Sequence, residues 1–212
     1  YFIKSNEIKG MEALLRWNGP QGFVPPDVFI PIAEESGQIY NIEKWVFKNS
    51  LEQKLEFEKK GLSYLSLSIN LSSKTLMSHD NFQDLLNLLK SYNIDFTHLT
   101  FEITETDIIS DLNLAIAQLN KLKELGVKIA LDDFGTGYSS LNHLKQLPID
   151  IIKLDRSFTS SIEKNKSDTS IIKSLLLLAI DLGYDVVAEG VETEEQFAFL
   201  KSFNCKFGQG YL

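Results

Sequence analysis

Cysteine is nearly absent from this chain: Cys205 stands alone among 212 residues. No internal disulfide framework can form, a reducing compartment fits, and paired-cysteine zinc sites are excluded. Histidine is almost as scarce. His79, His98 and His143 are scattered without metal-ligand spacing, which removes histidine triads and histidine-based zinc centres. Among 21 basic residues, Arg16 and Arg156 alone are arginine. Long apolar runs are missing too. Uncharged stretches such as 61–73 are rich in Ser and Asn and fall short of the ~18 apolar residues of a membrane span. The opening Tyr1-Phe2-Ile3-Lys4 is not a signal peptide. No Gly-x-Gly-x-x-Gly follows the first strand, against a dinucleotide fold, and no EF-hand pattern occurs.

What the chain has in excess is acid. Asp and Glu number 29 against 21 Lys and Arg, a net charge of −8. That balance speaks against a DNA or RNA polymer as partner, since phosphate backbones select basic faces. It leaves room for a smaller phosphate ligand, because clustered carboxylates can hold divalent cations that then face the phosphate. With 43% hydrophobic and 24% charged residues, the composition is that of a soluble globular domain.

Short apolar runs alternate with helical patterns. Strands are predicted at 7–17, 64–71, 99–104, 127–131, 149–154, 185–188 and from 206 onward. Helices are predicted at 27–35, 42–59, 81–92, 111–125, 139–145, 167–182 and 194–203. Pro25-Pro26 open the first helix, while Gly126 and Gly183 end two others. The alternation implies βαβ units and mostly parallel pairing. An open doubly wound sheet and a closed barrel both satisfy it. No Pro- or Ser-rich linker divides the chain, so 1–212 reads as one domain whose ends look like cuts within a larger protein.

The functional signal lies at the strand ends. Asn70 closes one, Glu102 and Glu105 flank another, and Asp132-Asp133 follow a third. Lys153 and Asp155 close the next, Glu189 follows Val187-Ala188, Gln209 lies in the last, and Glu12 sits in the first. Parallel strands aim their C-terminal ends at one face, where barrel enzymes place their chemistry. One acid after a strand is ordinarily a helix cap or turn residue. Capping does not account for so many at once, nor for Glu12 and Glu102 inside apolar runs, where an unpaired charge is costly.

Oxygen donors without His or Cys select hard cations, Mg²⁺ or Mn²⁺. Adjacent Asp132 and Asp133 suit a bridge between two ions about 3.5–4 Å apart, an arrangement that serves in-line displacement at phosphorus. Lys153 among the acids would remain charged and stabilise developing negative charge. The Phe134-Gly135-Thr136-Gly137 loop reads as a lid. Asp133-Phe134-Gly135 matches a kinase triplet, but no other kinase motif accompanies it. Arg16 is placed to grip a phosphate, and Arg156 to pair with a neighbouring acid.

These blocks resemble those of the EAL domain family of cyclic di-GMP phosphodiesterases. They are EALLRW (12–17), FIPIAEESG (29–37), INLS (69–72), FEITET (101–106), DDFGTGYSSL (132–141), KLDRSF (153–158), AEGVET (188–193) and QGYL (209–212). The resemblance implies an α/β fold, a modified TIM-type (β/α)8 barrel with the first strand antiparallel, so that Glu12 reaches the mouth from a strand running the other way. It implies hydrolysis of one phosphodiester bond of cyclic di-GMP to linear pGpG in bacterial signalling. A catalytically silent cyclic di-GMP receptor and a protein-interaction module are the alternatives.

By matching motifs, Glu12, Asn70, Glu102 and Asp132 would hold one metal, with Asp132 bridging to a second held by Asp133 and Glu189. The ions would be Mg²⁺ or Mn²⁺, with Ca²⁺ bound but inhibitory. Lys153 would orient or activate the water, Glu189 would serve as general base, and Glu105 would brace the loop from Phe134 to Ser140. Leu14, Arg16 and Gln209 would contact the substrate. The family's Tyr-Gln-Pro opening is abbreviated here to Tyr1-Phe2-Ile3. The resemblance also implies a homodimer through residues 138–147 and the helix from Ile171. Sensory or GGDEF-type domains would accompany it in the full-length protein. The expected location is cytoplasmic, including as the cytoplasmic part of a membrane-anchored protein, without membrane contact by this domain.

Overall fold

The computed structural model describes residues 1–105, 108, 111–135, 144–162 and 166–212. In chain order the elements begin with β1 (Gly10–Ala13), β2 (Trp17–Gly19), β3 (Gly22–Val24), α1 (Pro26–Glu35) and α2 (Ile39–Lys59). There follow β4 (Ser66–Asn70), α3 (Ser73–Leu76), α4 (His79–Lys90), β5 (Leu99–Thr104), α5 (Leu112–Glu124) and β6 (Lys128–Phe134). The last third holds β7 (Ile151–Leu154), α6 (Arg156–Thr159), α7 (Lys166–Asp181), β8 (Asp185–Glu189), α8 (Glu194–Ser202) and β9 (Phe207–Gln209).

Seven strands lie side by side in the order β1-β4-β5-β6-β7-β8-β9, and every neighbouring pair is parallel. This corrects the expected antiparallel first strand. β1 pairs in parallel with β4, with Glu12 opposite Ser68. The chain between them carries α1 and α2, and a crossover of that length returns the backbone to the starting end of the sheet. Glu12 therefore reaches the mouth along the common strand direction. Antiparallel contact occurs just upstream, as isolated bridges of Phe2 to Glu7 and of Phe2 to Phe207. Residue 2 thus links the lead-in of one edge strand to the other edge strand, consistent with a curled, mostly parallel sheet of modified (β/α)8 type.

Period-two alternation divides each strand between two environments. Leu67, Ile69, Phe101, Ile103, Ile129, Leu131, Ile152, Leu154, Val186 and Ala188 are buried in one apolar cluster shared with Phe47, Leu119, Leu176 and Leu200 of the helices. Phe47 of α2 meets Phe101 edge-on, with ring centroids 5.6 Å apart. The alternate positions carry the polar side chains.

The helix signals act as their chemistry predicts. Pro26 begins α1, and Gly126 (φ 93°) and Gly183 (φ 87°) follow α5 and α7 in the left-handed conformation. The predicted strand at 7–17 is interrupted: β1 stops at Ala13, and β2 and β3 form a separate antiparallel hairpin. Its turn, Gly19-Pro20-Gln21-Gly22, is rich in turn formers. The four-residue helices α3 and α6 are too short to show a helical period. The helix expected at 139–145 falls largely on 136–143, outside the described residues. No described helix is long and apolar enough to cross a membrane.

Beyond β9 the backbone presses against the loop after β8. A Cβ added at Gly210 would lie 2.0 Å from the Val191 carbonyl oxygen and 2.5 Å from its nitrogen. Gly210→Ala is therefore expected to destabilise the fold by about 1–3 kcal/mol or more, read as a lowered urea midpoint.

Candidate active site

Register brings the polar positions together. Asn70 is paired with Glu102, Thr104 with Asp132, and Glu189 with Gln209 across adjacent strands. Strand direction fixes the end and alternation fixes the face, so side chains from all seven strands of the sheet converge at the C-terminal mouth.

Lys153 of β7 occupies the centre of the group. Its Nζ lies 2.6 Å from Glu102 Oε2, 2.8 Å from Glu189 Oε1, 3.1 Å from Asp132 Oδ2 and 3.6 Å from Glu12 Oε2. The Lys153 side chain is 3% exposed, as is that of Glu102. Glu12 is held by two further donors: Asn70 Nδ2 donates to its Oε1 at 3.0 Å, and Gln209 Nε2 to its Oε2 at 2.8 Å. Asp132 Oδ1 accepts from the Asp133 backbone N–H at 2.9 Å.

Burial alone would favour a neutral lysine, but the surrounding carboxylates outweigh it and hold Lys153 firmly as ammonium. Burial pushes Glu102 up to about 8, beyond the pull of Lys153, and Glu12 and Asp132 add to the rise. Burial also raises Glu189, with Asp132 adding to it. Burial acts the same way on Glu12, yet Lys153, Gln209 and Asn70 together bring it below the ordinary value.

Asp133 sits where β6 loses register with β7, between Leu131 and Phe134, and has φ 53°. The irregularity bends the strand end at these two successive acids. Asp133 is raised by burial and then by Asp132 and Asp155, so it shares the negative field of the group. Glu105 is buried, with Oε1 3.5 Å from the Gly135 N–H and Oε2 without a hydrogen bond among the described residues. Leu14 and Arg16 lie outside the cluster, exposed on the link from β1 to β2, with Arg16 donating to the Leu15 carbonyl. Residues 136–140 of the expected lid lie outside the described residues.

Four carboxyl groups face one ammonium, and even with Glu102 protonated the other three outnumber it and leave net negative charge. As they stand, no three acidic, His or Cys side chains among the described residues form a metal-holding group, and Lys153 lies among the carboxylates. The donors are nonetheless hard oxygens in a region of excess negative charge, and burial has already pushed two of them toward protonation. That chemistry suits a divalent cation.

Sequence reasoning missed Glu43. It lies on the apolar stripe of α2, four residues after Ile39 and four before Phe47, a spacing that could have marked it as buried; it is 7% exposed and bonded to the turn after β4. Arg156 is also more than a surface cation: its stem packs where a Cβ on Gly190 would lie, 2.6 Å away.

The raised Glu102 sets a pH slope. Native Glu102 holds its proton to about 8, whereas an unfolded carboxyl releases it near 4.5. Unfolding between those limits releases a proton, so this contribution is complete below 4.5 and is lost as pH rises toward 8. In chelator-treated protein, urea stability should fall over that range by at most about 1.4 kcal/mol per pH unit from this group. Glu102→Gln should flatten the slope.

Comparison with known proteins follows the same outline. A cyclic di-GMP phosphodiesterase of Pseudomonas aeruginosa is 40% identical over 211 residues, covering 99% of this chain and 36% of the relative. The oxygen sensor protein DosP of Escherichia coli is 37% identical over 212 residues, covering 100% of this chain and 26% of its own length. This chain therefore spans roughly a third or less of these relatives. The PaMucR phosphodiesterase in complex with c-di-GMP superposes with a TM-score of 0.90 at 36% identity, over 95% of this chain and 82% of that one. The EAL domain model matches residues 1–212, and the chain belongs to the EAL domain family.

Proposed function

We propose that this domain hydrolyses one phosphodiester bond of cyclic di-GMP, giving linear pGpG. The observation that carries this reading is the ammonium of Lys153 enclosed by four strand-end carboxylates with net negative charge to spare. Relatives named as cyclic di-GMP phosphodiesterases support the substrate class. Glu12, Asn70, Glu102 and Asp132 would hold one Mg²⁺ or Mn²⁺, and Asp132, Asp133 and Glu189 a second. When bound, the pair supplies an acidified water and counter-charge for the phosphate.

The side chains divide the remaining work. Lys153, kept as ammonium by its neighbours, cannot accept a proton near neutral pH; it donates to the attacking or developing anionic oxygen. Glu189, raised by burial, is the better proton acceptor. Gln209 and Asn70 fix Glu12 from either side. Leu14 and Arg16, exposed at the rim, are placed to meet the ligand, with Arg16 suited to a phosphate. Glu105 braces the backbone at Gly135.

A receptor that binds without cutting is the second reading. The FimX EAL domain of P. aeruginosa, 28% identical with a TM-score of 0.88, is bound to c-di-GMP, the binding step that both readings share. The two separate by product: pGpG should form from cyclic di-GMP with Mg²⁺ or Mn²⁺, and binding without pGpG would establish the receptor. Ca²⁺ should bind and inhibit. Lys153→Met should lower kcat by about 100-fold or more while the variant stays folded; undiminished turnover would remove its role.

The relatives' greater length supports a larger signalling protein in which sensory or GGDEF-type domains accompany this unit. The nucleotide chemistry and the unpaired Cys205 support a cytoplasmic location. Ile171 and Leu177 of α7, 52% and 39% exposed, support a homodimer face, whereas Ile172 and Leu176 pack inward. The accompanying segment 138–147 lies partly outside the described residues. Sedimentation should detect a dimer that Ile171→Glu weakens.

A further inference from the structure

We propose that Glu43 of α2 is a positioning residue for the site, acting through Asn70. The inference rests on the reading of Asn70 as a metal ligand. Glu43 is 7% exposed and spends its carboxylate on one short turn. Its Oε1 accepts the Ser72 backbone N–H at 2.6 Å, and its Oε2 accepts the Ser72 hydroxyl at 2.9 Å. Oε2 also accepts the hydroxyl of Thr75, which is fully buried. Two donors from Ser72 in the turn between β4 and α3 and one from Thr75 inside α3 therefore converge on one side chain from another element.

The turn is pinned from the opposite side as well. The Leu71 backbone N–H donates to the Glu102 carbonyl at 2.8 Å, continuing the β4–β5 ladder one residue past Asn70. Ser72 caps α3, its hydroxyl accepting from the Thr75 N–H at 3.3 Å. Asn70 precedes this clamp by two residues. It is exposed, so surrounding packing does little to fix its rotamer, yet its amide meets Glu12 at 3.0 Å. The direction in which the backbone leaves β4 fixes the base of that side chain, and Glu43 is the group that sets this direction from outside the sheet. A helix acid that reached no further than capping α3 would have no need of Thr75 or of burial. Outer groups that orient ligands in this way typically govern metal affinity by 10- to 100-fold.

The test uses the Asn70 and Gln209 side-chain amides, both of which donate to Glu12. In metal-free Glu43→Ala, the Asn70 amide resonances should move toward those of a free amide while those of Gln209 stay in place. Mn²⁺ titrated alone should bind about 10-fold more weakly to Glu43→Ala than to the parent. Glu43→Ala added to Asn70→Ala should weaken Mn²⁺ no further. An unmoved Asn70 amide, an equal displacement of Gln209, or multiplying effects in the double variant would overturn the proposal. If Glu43→Ala does not fold, Thr75→Val removes one donor and should shift the Asn70 amide partway; no shift there overturns it too. Failure of the parent protein to bind Mn²⁺ would count against the two-metal reading, while the amide comparison still decides the role of Glu43.

Discussion

Lys153 carries a charge that the interior would reject on its own, and four carboxylates keep it there. The dependence is mutual. Without the ammonium, Glu12, Glu102, Asp132 and Glu189 would face one another in a half-dry mouth, and some would take up protons to survive. With it, the acids stay within a few ångströms of one another and retain net negative charge. A buried charge cluster of this kind is a poor way to stabilise a fold, since well-packed apolar residues often do as well or better. Its presence makes sense as stored electrostatic potential, ready for a cation and a phosphate.

That potential is held in place by packing on the other side of the sheet. Each strand buries its alternate residues against the helices, and a slip of one residue would carry Phe101 into the mouth and Glu102 into the apolar layer. The position of the acids is thus enforced by Leu, Ile and Phe side chains that never meet a ligand. The helices contribute more than an apolar cover: Glu43 reaches from α2 to the turn after β4, and Arg156 packs against Gly190 beside Glu189.

Much of this was legible because two signals in the sequence agree. Apolar alternation located the strands, and the acid, amide or amine at the end of each located the mouth. Glu12, Asn70, Glu102, Asp132, Lys153, Glu189 and Gln209 are brought together as that pattern implies. The direction of β1 was legible in the two helices read between the first two strands, which imply parallel pairing; the antiparallel expectation came from the family resemblance, and the pairing of β1 with β4 overturns it. The hairpin β2–β3 was hidden inside a run that reads as one strand, although Gly19-Pro20-Gln21-Gly22 announces a turn. Glu43 falls at the spacing of Ile39 and Phe47 that marks the buried face of α2, but what its carboxylate bonds to depends on what the distant β4–α3 turn presents to it. The ion pairs that Lys153 makes with acids of four other strands are likewise a matter of reach across the sheet, beyond any local pattern.

The hydrogen bond from Gln209 to Glu12 joins residues 197 positions apart and spans the two edge strands of the sheet. Neither edge is complete without the other. During synthesis, a nascent chain that has exposed β1 through β8 still lacks the amide that holds Glu12, and residue 2 lacks its partner at Phe207. The mouth is therefore assembled last, after nearly the whole domain has left the ribosome. A chain truncated before its final strand would retain most of its core while its first acid remained untethered.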